Sequence, residues 1–191
     1  MDDPSYLDSY LSRVLDAVKS IEVAQLEQLA TAIDRTVSSH GHVFFIGNGG
    51  SAATATHYVN DLVMAYARTN RVLRTSSLTD NPALVSGIAN DYSFVEIFEY
   101  QLRALGQPGD LVVAISASGN SPNLVRAIEH ANSAGISTAA VLGFDGGKLK
   151  EMVDVVVHVT TQLGDYGPAE DAHLIINHAV SALLRAKGEG R

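Results

Sequence analysis

The amino-acid sequence predicts an α/β protein built on a doubly wound, five-stranded parallel sheet. Five short apolar runs alternate along the 191 residues with longer segments whose apolar residues recur at helical spacing. Each run is apolar throughout rather than at alternate positions, which is typical of strands buried on both faces of a parallel sheet. A glycine-rich turn joins the first run directly to a helical segment, as expected for the first βα unit of such a sheet.

The part of the chain before the first strand is expected to be helical. Residues 6–39 carry apolar side chains at helical spacing over a stretch too long for one ordinary helix, so we expect two helices that meet near residues 20–23. An amphipathic N-terminal helix either covers the sheet or packs against a second copy of the chain, and we favour the second arrangement. Residues 1–39 are thus an N-terminal helical extension of a single domain, whose sheet core spans residues 40–191.

The remaining elements follow from apolar runs, helix signals and turn residues. The predicted strands are residues 43–46, 71–76, 111–115, 137–142 and 155–159. The predicted helices of the core are residues 52–63, 82–89, 94–105, 122–134, 149–152 and 170–187. Pro82 and Pro122 stand at first helical positions, and Gly135 follows a helix C-terminus. Right-handed crossovers between five such strands predict a flavodoxin-like sandwich.

The composition excludes several classes of protein. A net charge of −8 argues against a nucleic-acid groove. No apolar run approaches the ~18 residues that a membrane span needs, and the acidic, polar N-terminus is unlike a signal peptide. Cysteine is absent, so a bound metal must be held by histidines and carboxylates. We therefore expect a cytoplasmic protein with neither a nucleic-acid nor a membrane partner.

The glycine-rich turn after the first strand is a candidate binding loop. It reads Gly47-Asn48-Gly49-Gly50-Ser51, and Ser51 stands where a helix N-cap is expected. Glycines before a helix N-terminus leave free backbone N–H groups at the positive end of the helix dipole, which suits a phosphate or a sugar oxyanion. An ordinary strand-to-helix turn without a ligand explains this loop equally well when it is considered alone.

A second loop of similar character follows the third predicted strand. Its residues are Ser116, Ala117, Ser118, Gly119, Asn120 and Ser121, and Pro122 then begins a helix. Serine hydroxyls and backbone N–H groups together can hold a phosphate without a lysine. Because both loops follow strands, they are expected at the carboxyl edge of the sheet, where such folds bind ligands.

Two helices carry residues that could bind a metal ion or a substrate hydroxyl. His57 and Asp61 are four residues apart and therefore share a helix face. Glu170 and His178, eight apart on the last helix, also lie on roughly one face, whereas His173 fits that face less well. Each histidine taken alone is more often a structural residue than a ligand.

The two loops resemble those of the sugar isomerase (SIS) domain family, and within it the chain is most similar to the phosphoheptose isomerases. The resemblance extends over nearly the whole chain, including Asn90-Asp91 and the segment from Glu170 to His178. An Asn-Asp pair between helices is by itself more often a cap or turn pair. The resemblance instead implies that Asn90 and Asp91 bind substrate.

The resemblance implies a homotetrameric isomerase that converts sedoheptulose 7-phosphate to D-glycero-D-manno-heptose 7-phosphate through a cis-enediol. It implies one Zn²⁺ per subunit, on His57, Asp61, Glu170 and His178. Asp61 is then the base, His178 a proton donor or metal ligand, and Glu170 the substitute base if Asp61 is bound to metal. The substrate-binding residues that it implies are Asn48, Gly49, Gly50, Ser51, Asn90, Asp91, Ser116, Ala117, Ser118, Ser121 and Glu170.

Two residues depart from the family pattern, which usually has Glu at position 61 and Gln at position 170. Asp61 reaches one methylene less far, and Glu170 adds a negative charge. These departures keep two alternatives open. One is an isomerase for another sugar phosphate of a secondary metabolite. The other is a non-catalytic SIS protein that senses sugar phosphates or binds a protein such as the replication initiator, although retention of His57 and His178 favours an enzyme.

Overall fold

The sheet has five parallel strands in the order β2-β1-β3-β4-β5, which confirms the predicted fold class. The computed structural model describes residues 4–69 and 71–188. Residues 1–3, at the acidic N-terminus considered above, lie outside the described residues, as do residue 70 and residues 189–191. The strands are β1 His42–Gly47, β2 Arg74–Ser77, β3 Leu111–Ser116, β4 Ser137–Leu142 and β5 Val155–His158.

Helices cover both faces of this sheet. They are α1 Pro4–Lys19, α2 Val23–Ser38, α3 Gly50–Tyr66, α4 Pro82–Asp91, α5 Glu99–Leu105, α6 Pro122–Ser133 and α7 Tyr166–Gly188. Short 3₁₀ turns span Phe94–Glu96 and Lys148–Glu151. The predicted break between two N-terminal helices is confirmed, and Pro82 and Pro122 begin helices as expected.

Two apolar cores hold the layers together, one on each face of the sheet. One core joins α2, α3 and α7 to the sheet, with Leu29, Phe45 and Tyr58 among its fully buried side chains. The other core lies under α4, α5 and α6 and includes Phe44 and Phe98. Each such side chain contributes about 1.5–3 kcal/mol when it is fully buried. Successive side chains of β1 therefore enter opposite cores, and the strand is buried between two helical layers.

Several element boundaries differ from the sequence prediction, and the short helix predicted at residues 149–152 is a 3₁₀ turn. Strand β2 starts at Arg74 rather than at residue 71, and the Arg71 side chain donates to Asp34 of α2 at 2.6 Å. The predicted helix 94–105 is divided into a 3₁₀ turn and α5. Helix α7 begins at Tyr166, four residues earlier than predicted, since Pro168 is accepted in the first turn of a helix.

The predicted N-cap of α3 is wrong. The helix begins at Gly50, and the N-cap is Gly49, whose φ of 54° is a conformation that glycine adopts without strain. Ser51 therefore lies within the first turn, and its side chain is free to face the carboxyl edge of the sheet.

Candidate active site

The two predicted loops lie side by side at the carboxyl edge of the sheet. They follow β1 and β3, which are neighbouring strands. The chain leaves β1 and β3 on opposite sides of the sheet, so a crevice forms between the loops, as in other doubly wound folds. The sequence-based placement of both loops is confirmed.

A cavity of about 120 Å³ opens between the loops. It is lined by Asn48, Ser51, Ile115, Ser116, Ala117, Ser118, Ser121, Leu124, Tyr166 and Glu170. Seven of these ten residues were predicted from the sequence to bind substrate. Two larger clefts, of about 540 and 600 Å³, lie near the amino ends of β4 and β5, and none of the predicted site residues line them. A third, of about 380 Å³, is lined by Asp61 and His178.

The second loop is held in shape by a neighbouring segment, residues 143–149. The Leu149 N–H donates to the Gly119 carbonyl and the Lys148 N–H to Asn120 Oδ1, both at 3.0 Å. Gly119 has a φ of +61°, and a methyl group on it would lie 1.9 Å from the Gly146 carbonyl oxygen. Only glycine fits between the two segments, and the serines of the loop are thereby kept at the cavity.

Glu170 brings a carboxylate to the same cavity. It lies in α7, and its carboxylate packs so closely on Gly50 that a methyl group there would approach Oε2 to 2.3 Å. Burial raises the pKa of Glu170 above its usual value, and the neighbouring Asp171 raises it further. A carboxylate with a raised pKa beside a substrate cavity is suited to acid–base chemistry.

His57, Asp61 and His178 form a second group, further along α3 and α7. The two histidine Nε2 atoms are 3.3 Å apart. Asp61 Oδ1 lies 3.4 Å from His57 Nε2, and Oδ2 lies 3.7 Å from His178 Nε2. Two facing imidazole nitrogens beside a carboxylate are a donor set that zinc prefers.

The spacing of these three atoms also fits zinc. Tetrahedral Zn²⁺ with bonds of about 2.0–2.1 Å separates its ligand atoms by about 3.4 Å, and the observed spacings are 3.3, 3.4 and 3.7 Å. Glu170 is not part of this group. It precedes His178 by eight residues, or about 12 Å along the helix, so a ligand role for Glu170 would require its side chain to leave Gly50.

Comparison with known proteins agrees with this geometry. Residues 5–143 match the model of the SIS domain family. The chain is 34% identical over 178 residues to a probable phosphoheptose isomerase of Thermoplasma acidophilum, covering 93% of this chain and 97% of that one. It is 35% identical over 184 residues to the phosphoheptose isomerase of Bordetella avium, covering 94% and 93%. This chain belongs to the phosphoheptose isomerase family of SIS-domain proteins.

Solved structures of the family have the same fold. Phosphoheptose isomerase GmhA of Neisseria gonorrhoeae matches with a TM-score of 0.85 at 28% identity, over 94% of this chain and 97% of that one. The phosphoheptose isomerase of Francisella tularensis matches with a TM-score of 0.83 at 26% identity, over 94% of both chains. The Vibrio vulnificus NanR protein, at 13% identity and a TM-score of 0.73 over 96% of this chain and 62% of that one, shares the fold alone.

Asn90 and Asp91, which the family resemblance assigns to the substrate, do not line this cavity. They are exposed at the end of α4, and Asn90 Nδ2 donates to Asp91 Oδ1 at 2.8 Å. Their assigned role stays a prediction.

Sequence reasoning did not single out Asn177 or Asn123 near this site, and it considered Tyr166 only as part of a lid. Asn177 is fully buried and donates to Asp61 Oδ2 at 2.8 Å, which fixes the carboxylate between the histidines. Tyr166 lines the cavity from the first position of α7. Asn123 bonds the side chain of Asn48. The sequence signal for Asn123 is its place directly after a helix-starting proline, whereas Asn177 carries none, because it looks like any polar residue of a long helix.

Proposed function

We propose that this protein is an aldose–ketose isomerase that converts sedoheptulose 7-phosphate to D-glycero-D-manno-heptose 7-phosphate in heptose synthesis. The observation that carries the proposal is one cavity that combines a serine-rich anion cradle with the Glu170 carboxylate. The names of the relatives at 34–35% identity support the same activity.

The phosphate end of the substrate belongs on the second loop. Ser116, Ala117, Ser118 and Ser121 line the cavity, and α6 begins directly after Ser121. These neutral donors bind an anion without a lysine, so the net charge of −8 is no obstacle.

The distance from this cavity to the His57/Asp61/His178 group suits a long substrate. His57 follows Gly50 by seven residues, which is about 10.5 Å along α3. An extended seven-carbon chain with a terminal phosphate reaches a similar length. Its phosphate can therefore lie on the loop while C1 and C2 lie between Glu170 and the histidines.

We propose one Zn²⁺ per subunit, held by His57, Asp61 and His178. Zinc bound there supplies Lewis-acid stabilisation of negative charge on the substrate oxygens. The 3.3 Å spacing of the two Nε2 atoms supports the ligand role of His178 over its role as proton donor.

We assign the carbon proton transfer to Glu170 rather than to Asp61. Both oxygens of Asp61 already accept hydrogen bonds, from Asn60 at 3.0 Å and Asn177 at 2.8 Å. Glu170 lies in the cavity and takes the proton from C1, which leaves an enediolate. It then returns that proton to C2 from the same face, while the O1 proton moves to O2.

We also propose a cytoplasmic homotetramer. Tyr6, Leu7, Leu11 and Leu15 are 59–66% exposed along one side of α1, where a second copy can cover them. Asn90 and Asp91 could then contribute to the site of a neighbouring subunit. Among the described residues, no helix is long and apolar enough to cross a membrane.

Turnover of sedoheptulose 7-phosphate, with and without a chelator, tests the function and the metal together. We expect conversion to the aldose phosphate, loss of the rate after chelation, and recovery with added Zn²⁺. If chelation leaves the rate unchanged, the proposed metal is contradicted but the proposed isomerase activity is not. A folded protein that binds the sugar phosphate without converting it would instead be a sensor.

A further inference from the structure

The two ligand loops are joined by a reciprocal pair of side-chain amides. Asn48 Nδ2 donates to Asn123 Oδ1 at 2.9 Å, and Asn123 Nδ2 donates to Asn48 Oδ1 at 2.8 Å. Asn48 directly follows β1, whereas Asn123 is the second residue of α6, just after the serine-rich loop. The pair therefore spans the crevice into which the cavity opens.

The backbone fixes the orientation of both amides. Asn123 Oδ1 also accepts a hydrogen bond from the Leu124 N–H at 3.0 Å. An amide NH₂ group cannot accept, so this contact determines which end of the Asn123 side chain carries its oxygen. The reciprocal pair then determines the orientation of Asn48. Asn123 is only 2% exposed, which shields the pair from competing water.

The amide of Asn48 keeps one donor and one acceptor for a ligand. Its oxygen has two lone pairs and its nitrogen two hydrogens, and among the described residues the pair with Asn123 uses one of each. Asn48 lines the cavity, so the remaining N–H and lone pair are available there. A hydroxyl group both donates and accepts, whereas an ionised phosphate oxygen only accepts. In a reciprocal amide pair the remaining N–H and lone pair point away from each other, so they serve two different groups. The lone pair is complementary to the O–H of a sugar hydroxyl, which an ionised phosphate oxygen cannot replace.

We propose that Asn123 is a positioning residue that holds Asn48 to recognise one hydroxyl of the sugar chain. This inference rests on the proposed function and specifies how the same site selects its substrate. Asn123 does not line the cavity and acts through Asn48 alone. A deoxy analogue would leave such a buried polar group without a hydrogen-bond partner. A site of this kind therefore rejects the analogue more strongly than an apolar pocket would.

Calorimetric titration of two ligands tests this role. We would titrate wild type, Asn123→Ala, Asn48→Ala and the double variant with sedoheptulose 7-phosphate and, separately, with inorganic phosphate. Asn123→Ala should weaken sugar-phosphate binding roughly tenfold, the value of one lost hydrogen bond. Inorganic phosphate binding should change less than twofold, because that anion needs only the serine-rich loop. Asn48→Ala should have the same effect, and the double variant no greater one.

The matched control is Asn132→Ala. Asn132 donates to the Met152 carbonyl at 2.8 Å, outside the cavity, so its loss should leave both affinities unchanged. If a single variant does not fold, the double variant carries the test, because it leaves no amide of the pair without its partner.

Two results would overturn the role of Asn123. An equal loss of affinity for both ligands would mean that the pair only supports the phosphate loop, and an unchanged sugar-phosphate affinity would mean that Asn48 reads no hydroxyl. Wild-type protein that binds the sugar phosphate no more tightly than inorganic phosphate would also contradict it. Binding without turnover would remove the isomerase function and leave the comparison of variants valid.

Discussion

Glu170 is the carboxylate on which the proposed chemistry depends. If it moves the carbon proton, Glu170→Gln should lower kcat by about 10²–10⁴-fold with little change in KM, because removing a general base has an effect of this size. Glu170→Gln introduces the residue that the family usually has at this position. If Glu170 is not the base, the variant should therefore keep the activity of the wild type. Steady-state kinetics decides between these outcomes.

Two further variants complete that comparison. Glu151→Gln is the control, since Glu151 is exposed and lines a cleft away from the cavity. Asp61→Glu restores the usual family carboxylate. An active Glu170→Gln enzyme that Asp61→Glu makes faster would contradict our assignment and return the base to position 61.

His173 predicts how stability depends on pH. Its ring is fully buried, and burial lowers its pKa to about 4, partly opposed by the Leu142 carbonyl. Neither ring nitrogen makes a hydrogen bond of normal geometry to the described residues. The unfolded chain therefore binds a proton on His173 more readily than the folded protein does. As a result, the free energy of unfolding is at its full value above pH ~6.5 and decreases as the pH falls towards 4.

A His173→Leu variant isolates this contribution. Wild type should lose about 3 kcal/mol more than the variant between pH 6.5 and 4, because a pKa difference of one unit corresponds to about 1.4 kcal/mol. At pH 7 the variant should be at least as stable, since it removes two unpaired polar atoms. Urea unfolding at several pH values measures both effects, and parallel curves would contradict the account.

At the scale of elements, the contact between the serine-rich loop and residues 143–149 shapes the proposed phosphate site. Gly119→Ala should destabilise the protein by about 1–3 kcal/mol through its positive φ alone. It should also abolish phosphate binding, because the new methyl group cannot lie 1.9 Å from the Gly146 carbonyl oxygen. Denaturant unfolding and phosphate titration measure the two effects.

Gly135→Ala is the matched control for that loop variant. Gly135 has a φ of +69°, and a methyl group there would meet nothing within 4 Å. It should therefore show the backbone strain without the loss of phosphate binding. Equal effects of the two variants on phosphate affinity would mean that the contact between the loops does not position the site.

The elements differ in how far the sequence predicts them. The strands and both loops could be placed because buried parallel strands are continuous apolar runs and glycines mark the turns. The ion pair of Arg71 with Asp34, just before β2, joins residues 37 apart. The pair of Asn48 with Asn123 joins residues 75 apart. Contacts of this kind are created by folding and leave no periodic pattern in the sequence.

The site residues also divide into those that the sequence predicts and those that only folding brings together. His57 and Asp61 could be paired from their spacing on one helix, because helix geometry places residues four apart on one face. Their meeting with His178 follows from the packing of α3 on α7, for which the spacing gives no information. The grouping of His178 with His57 and Asp61 came instead from the resemblance to the family. The distance of Glu170 from the group depends on side-chain packing against Gly50, which neither spacing nor resemblance describes.

At the scale of the whole molecule, α1 is attached to the rest of the chain by polar contacts and keeps an apolar side exposed. Tyr10 donates to Asp171 at 2.6 Å, and Arg13 pairs with Asp165 at 2.7 Å, so α1 lies against the start of α7. On another side of the helix, Leu7, Leu11 and Leu15 are 59–66% exposed. An uncovered apolar stripe of this kind favours association.

Light scattering tests that association. Wild type should have four times the mass of one chain, and replacement of Leu7, Leu11 and Leu15 by Glu should yield a smaller species. Val72→Glu is the control, since Val72 is 68% exposed but lies away from α1. A monomeric wild type, or a triple variant of unchanged mass, would contradict the role of α1.

The central claim is that this chain isomerises a seven-carbon sugar phosphate through an enediol. The most direct measurement is NMR of sedoheptulose 7-phosphate incubated with the wild-type protein in D₂O. We predict deuterium at C1 of the ketose and at C2 of the aldose, since the proton on Glu170 exchanges with solvent during the reaction. Binding of the sugar phosphate without deuterium at either carbon would contradict the claim.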